Sequence, residues 1–171
     1  MTSTELSSSE YNIYYKGYID LVKEAPLVPV LEEGMAKVVE FFKELPISKW
    51  QYRYAENKWT PKDILQHIID TERVFAYRAL YFSRADDVNL IGFDENLFAD
   101  NALANTKTPE NILQEYIAVR NASICLFKAF EDIQLKRTGT ANGSDMSVAA
   151  IGFIICGHEL HHVNIINERY L

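Results

Sequence analysis

Ser147-Val148-Ala149-Ala150-Ile151-Gly152-Phe153-Ile154-Ile155-Cys156-Gly157-His158-Glu159-Leu160-His161-His162 is the stretch on which the fold class turns. Ser147 is a good N-cap residue immediately before an apolar run, and the pattern continues to about Arg169. Val148, Ile151, Ile155, His158, His162 and Ile165 recur at helical spacing. This predicts a long final helix whose inner stripe passes from aliphatic residues to imidazoles.

Working outward, the clearest helix start lies at Thr60, with Pro61 at the first helical position and Asp63 at the third, facing the free amides. That helix is expected to run to about Ser83, with Ile64, His67, Ile68, Thr71, Val74 and Phe75 inward. Thr108 and Pro109 open another helix reaching about Phe130. An earlier one spans about Val30 to Glu44, after Pro26 and Pro29 and before Pro46. A first helix is read over about Tyr11 to Lys23, and residues 1–10 as a disordered or frayed tail. Trp50 to Trp59 reads as a packed connection and Asp86 to Glu95 as a loop, followed by a short helix through Ala104. Asn142-Gly143 marks a turn in the polar stretch 136–145. Four long amphipathic helices with short accessories make a single all-α domain over residues 11–171, a four-helix bundle.

All four histidines fall into two groups, His67 alone and His158, His161 and His162 together. His158 and His162, four residues apart, would share one helix face about 6 Å apart. His67 lies on the inner stripe of its own helix. A third imidazole from there would complete a cap for one divalent metal ion, with positions left for water or substrate. Separate core histidines are the plainer alternative, but each buried ring would then need its own polar partners. His161 lies about 60° round the helix from the His158–His162 line and is taken as a flanking residue. Asp70 is a candidate to orient a ligand or activate water, or else a solvated carboxylate. Arg78, eleven residues after His67, is a candidate to bind an anionic substrate, or else a surface arginine.

Other metal chemistries fit less well. His158-Glu159-Leu160-His161-His162 satisfies H-E-x-x-H, but only nine residues follow and no downstream third ligand fits. A di-iron bundle needs a second Glu-x-x-His pair, and Ile64 stands where its glutamate would be. Cys156 lies about 200° round the helix from His158, which disfavours a cysteine nucleophile.

At 171 residues, with seven glycines and five prolines, the chain can bury a full core and has few turn residues for a strand-rich fold. Its net charge of −7 disfavours nucleic acid and anionic membrane surfaces as partners. No apolar run approaches the roughly 20 residues of a membrane helix. The polar first ten residues carry no signal-peptide pattern, and Cys125 and Cys156 sit in apolar stretches. A cytoplasmic location with both thiols reduced is expected.

The text Trp59-Thr60-Pro61-Lys62-Asp63-Ile64-Leu65-Gln66-His67, the following Asp70-Thr71-Glu72-Arg73-Val74-Phe75-Ala76-Tyr77-Arg78, Gly92-Phe93-Asp94-Glu95, residues 138–143 and residues 150–171 together resemble the DinB-like superfamily of metal-binding helical bundles. The resemblance covers about residues 30–171. It implies the DinB/YfiT-like up-down-down-up bundle and a nickel- or zinc-type divalent site, with the three metal histidines carried over to His67, His158 and His162. It does not imply DNA binding. Characterised relatives include thiol-dependent S-transferases and a mycothiol-dependent isomerase, and many members have no assigned reaction.

The expectation is therefore a metal-dependent enzyme, a thiol-dependent S-transferase or a hydrolase acting on a small molecule. A low-molecular-weight thiol would be the cofactor in the first case. Such a metal lowers the pKa of bound water to about 7 and would equally bind a thiol as thiolate. The alternative is a non-catalytic metal-binding bundle with a structural or assembly role. A homodimer is expected from the fold type.

Overall fold

The structure, a computed structural model, describes residues 1–22 and 24–171. A 3-10 turn at Ile13–Tyr15 leads into the short helix α1 (Lys16–Ile19). The four long helices are α2 (Leu27–Glu44), α3 (Pro61–Arg84), α5 (Pro109–Lys128) and α7 (Val148–Arg169). Between them lie the short α4 (Glu95–Asn101) and α6 (Asp132–Leu135). The helix starts read from sequence are made by the expected caps. Thr60 accepts from the Asp63 amide in a reciprocal capping box, Thr108 accepts from Asn111, and Ser147 accepts from Ala150.

Helix directions follow from which residues meet. Leu27 abuts Gly152 and Gly34 abuts Glu159, so α2 and α7 run parallel. His67 faces His162, whereas Phe75 and Ile154 border a common cavity, so α3 is antiparallel to α7. Gln66 meets Glu115 and Glu72 meets Arg120, so α5 runs with α3. Arg120 reaches the carbonyl of Leu31, and Phe42 borders the same groove as Leu113, so α5 opposes α2. The result is the expected up-down-down-up four-helix bundle, with α2 and α3 each packed on α5 and α7.

Two apolar clusters fill it. One holds Leu31, Phe75, Phe82, Ile151 and Phe153; the other holds Phe42, Leu65, Ile69, Ile112 and Ile166. On every long helix the sequence passes from one cluster to the other through a short polar or glycine position: Gly34, Glu72, Arg120 and the segment 158–162. A polar layer therefore crosses mid-bundle.

Several local expectations are corrected. The first helix is a 3-10 turn and four α-helical residues rather than a helix over 11–23, and the expected end at Lys23 lies outside the described residues. Pro29 does not precede α2 but sits in its first turn, where amides have no intrahelical acceptor to lose. Residues 1–10 are not frayed: Thr2 bridges Pro26, Leu6 packs on the core, and the Glu10 carbonyl accepts from the Ser147 amide at 2.9 Å. The polar stretch before α7 is a hairpin of β2 (Thr138–Ala141) and β3 (Ser144–Ser147), with β1 (Asn89–Leu90) pairing parallel to β2. Asn142 and Gly143 both take positive φ, 51° and 69°, as a two-residue hairpin turn of type I′ requires. The strands lack the apolar alternation that would announce them.

By length and composition α7 is apolar enough to cross a membrane, a property the short-run reading missed. Residues 148–159 are buried on nearly every side by the other helices, which makes α7 the core helix of the bundle.

Candidate metal centre

His67 from α3 and His158 and His162 from α7 converge in the middle of the bundle. The Nε2 atom of His158 lies 3.0 Å from Nε2 of His67 and 3.0 Å from Nε2 of His162. All three side chains are buried. Burial pulls the pKa of His67 down to about 4 and, with the neighbouring His67 and His161, that of His162 to about 3. Burial and the facing imidazoles hold His158 well below the usual range. All three rings are thus neutral near pH 7.

This arrangement fits a divalent cation better than it fits histidine–histidine hydrogen bonding. A ring nitrogen carries either one proton or one in-plane lone pair, so Nε2 of His158 can form only one hydrogen bond. It has two imidazole nitrogens at hydrogen-bond distance. Metal–nitrogen bonds of about 2.0–2.1 Å put neighbouring ligand nitrogens about 2.8–3.4 Å apart in octahedral or tetrahedral geometry. The observed spacing lies in that range.

Neighbouring rings fix the imidazoles. Trp59 lies 4.8 Å from His67 between ring centroids, and Tyr18 meets His158 edge-on at 5.5 Å. Thr71 Oγ1 stands 3.5 Å from His67 Nδ1, and Nδ1 of His162 is buried with no partner. No carboxylate or thiol joins the three histidines among the described residues.

The remaining sequence candidates separate clearly. His161 is half-buried beside the centre, edge-on to Tyr18 and His162, and contributes no ligand atom to it. Asp70 does not orient a histidine: it accepts from Gln66 at 3.0 Å and Arg73 at 3.1 Å on the seam with α5, near Glu115 and Lys107. Arg78 is not a surface residue; it is 3% exposed. Glu159, the would-be general base of H-E-x-x-H, is bound by Arg120 and by the Tyr116 hydroxyl at 2.7 Å. Cys156 is fully buried and its thiol pKa is pushed up by that burial.

A cavity of about 270 Å³ borders His158. Its walls come from Tyr14, Tyr15 and Tyr18 before α2, Thr71, Phe75 and Arg78 on α3, Phe93 and Glu95 on the crossover, and Asn142 and Ser144 of the hairpin. Most of these were not singled out from sequence. Thr71, at i+4 from His67, had the spacing to be found. The tyrosines and Asn142 come from segments whose position no local pattern reveals.

The comparisons agree with this architecture. No sequence among the curated proteins matches the chain. YfiT from Bacillus subtilis, described as a probable metal-dependent hydrolase with an unusual four-helix bundle topology, is similar in structure with a TM-score of 0.74. The two share 20% identity over 83% of this chain and 82% of that one, a likeness that speaks to the fold. The sequence pattern of the DinB superfamily matches residues 31–166, which include the three histidines, α3 and α5 and most of α2 and α7. On that match, over most of its length, the chain belongs to the DinB superfamily.

Proposed function

We propose that this protein is a metal-dependent enzyme in which His67, His158 and His162 hold one divalent ion, nickel or zinc, and act on a small molecule admitted through the adjoining cavity. The observation that carries this reading is the placement of His158 Nε2 at 3.0 Å from both other imidazoles, an arrangement that protons alone cannot satisfy. The reaction is hydrolysis or thiol-dependent S-transfer. Bound there, the ion would act as a Lewis acid that makes water or a thiol nucleophilic near neutral pH.

The chain's own residues supply the rest. Burial keeps the three imidazoles neutral, so each has a ring-nitrogen lone pair to offer a cation. Trp59, Tyr18 and Thr71 hold the rings in position. Phe75 and the tyrosines wall the approach to His158. Three protein ligands rather than four favour catalysis over a structural site, since structural sites are normally closed by the protein. The description of YfiT as a probable metal-dependent hydrolase supports the hydrolytic version.

Metal analysis of protein purified without an affinity tag, beside His67→Ala and His158→Ala, tests this. One divalent ion per chain, lost in both variants, is the expected result. Wild-type protein that takes up neither Zn²⁺ nor Ni²⁺ on incubation would overturn it.

A further inference from the structure

We propose that the cavity bordering His158 takes a small organic carboxylate, whose acid group pairs with Arg78 while its other end faces the three histidines. The inference rests on the metal-centre reading only for what that far end does. Arg78 is 3% exposed and lines this cavity. Its guanidinium is charged at any working pH and carries five N–H donors. Tyr15 is the one polar side chain that favours the charged form of Arg78 against burial, and no carboxylate among the described residues pairs with the guanidinium.

The other buried cations are treated differently. Arg120 is held by two glutamates, and the Lys62 ammonium donates to the carbonyl of Lys107 at 2.6 Å. Glu95, the one carboxylate on the cavity rim, forms no ion pair with Arg78. A buried guanidinium with most of its five N–H donors unmatched by protein acceptors is unfavourable unless a ligand or water completes it.

The surroundings select the ligand. Phe75 and Phe93 lie 4.8 Å and 6.0 Å from the guanidinium carbon and flank it, so an anion approaches from the cavity. A single planar fork matches a carboxylate bidentately. A phosphate dianion would call for further cations, and the wall offers only Arg78, with the neutral Asn142 and Ser144. About 270 Å³ is room for a small molecule only. Arg78 lies seven residues beyond Thr71, about 10 Å along α3, and its side chain leans back over Phe75 toward the histidines. A spacer of a few carbons between acid and reacting group therefore spans the site. A substrate acid and the acid of a thiol co-substrate present the same group to Arg78.

The test is calorimetric titration of zinc-loaded and metal-free protein with 4-sulfanylbutanoate, its amide 4-sulfanylbutanamide, and the thiol-free butanoate and butanamide. Wild type, Arg78→Met and Arg78→Lys are compared, with metal content and unfolding temperature recorded for each. The wild type is expected to favour acid over amide at least about tenfold, with or without zinc. Arg78→Met loses that preference while keeping its metal, and Arg78→Lys, which keeps the charge, retains part of it. A preference seen only in the thiol pair assigns the acid to the thiol co-substrate, and one seen in both pairs to carboxylates generally. Equal affinity of the wild type for acid and amide in both pairs, or a preference that survives in Arg78→Met, overturns the inference. One zinc per chain with no acid preference sinks this inference and leaves the metal centre standing. Acid preference without zinc binding does the reverse.

Discussion

Glu159 follows His158 directly in the chain, yet its carboxylate is turned to α5, where Oε2 accepts from Arg120 Nη2 at 2.7 Å. One turn of α7 thus serves two polar systems. Neutral imidazoles face α3, and a buried Glu72–Arg120–Glu159 triad ties α3, α5 and α7 together. Arg120 also donates to the Leu31 carbonyl of α2, so all four long helices meet at one guanidinium.

Removing that guanidinium strands two buried carboxylates. Arg120→Met is expected to cost about 3–5 kcal/mol in urea unfolding. Glu159→Gln keeps the shape and costs about 1–3 kcal/mol. Since Glu159 does not face the metal centre, Glu159→Gln should still bind one metal ion per chain; a folded variant without metal would tie Glu159 to the centre after all.

The metal-free protein should lose stability in mild acid. The pKa values of His67 and His162 are depressed by burial to about 4 and about 3, so the unfolded chain takes up protons first, near 6.5. Stability is then fully present above about pH 6.5 and falls as pH drops toward 4 and 3. Between pH 6.5 and 5 each of the two histidines contributes a loss of about 2 kcal/mol. Denaturation curves of the chelator-treated protein at pH 7 and pH 5 measure this, and His67→Ala should reduce the slope.

Metal loading should raise the unfolding temperature. At a hundredfold excess over Kd, binding adds about 2.7 kcal/mol, or about 5–10 °C for a chain of this size. Calorimetry with Zn²⁺ and after chelation reads the difference. His158→Ala, which removes the central nitrogen of the trio, should show no shift; an undiminished shift would place the stabilising ion elsewhere.

Gly157 is where α1 docks against α7. A Cβ built there would stand 1.9 Å from the carbonyl oxygen of Tyr18, closer than any side-chain rearrangement can relieve. Gly157→Ala is expected to displace α1, with a loss of about 1–3 kcal/mol. Because Tyr18 packs on His158, metal affinity should fall as well. Proteolysis near residue 20 and zinc titration check the two effects; an unchanged protein would show that α1 is not seated as described.

Helix limits and the inward imidazoles were legible because their signals are local. Thr60 with Pro61 and Asp63, Thr108 with Pro109, and Ser147 each satisfy free amides within one turn. The hairpin was half legible: Asn142-Gly143 announces its turn, but Thr138–Ala141 and Ser144–Ser147 carry no alternation, and their pairing is set by β1 and the helices they rest on. Asp70 and Arg78 show the limit most clearly. Both lie on α3 within three turns of His67, one drawn to Glu115's neighbourhood on the α5 seam and the other buried over Phe75.

By itself, the sequence determined four long helices, three of them with side-chain caps, and three imidazoles on inner faces, since caps, prolines and a 3.6-residue period depend on neighbours within a turn or two. Only the tertiary structure decided that Arg120 finds two glutamates while Arg78 finds none, and that the N-terminal tyrosines wall the cavity beside His158. Those outcomes depend on which residues distant helices bring to the same depth of the bundle. Burial there makes a missing partner costly, and no local pattern records it.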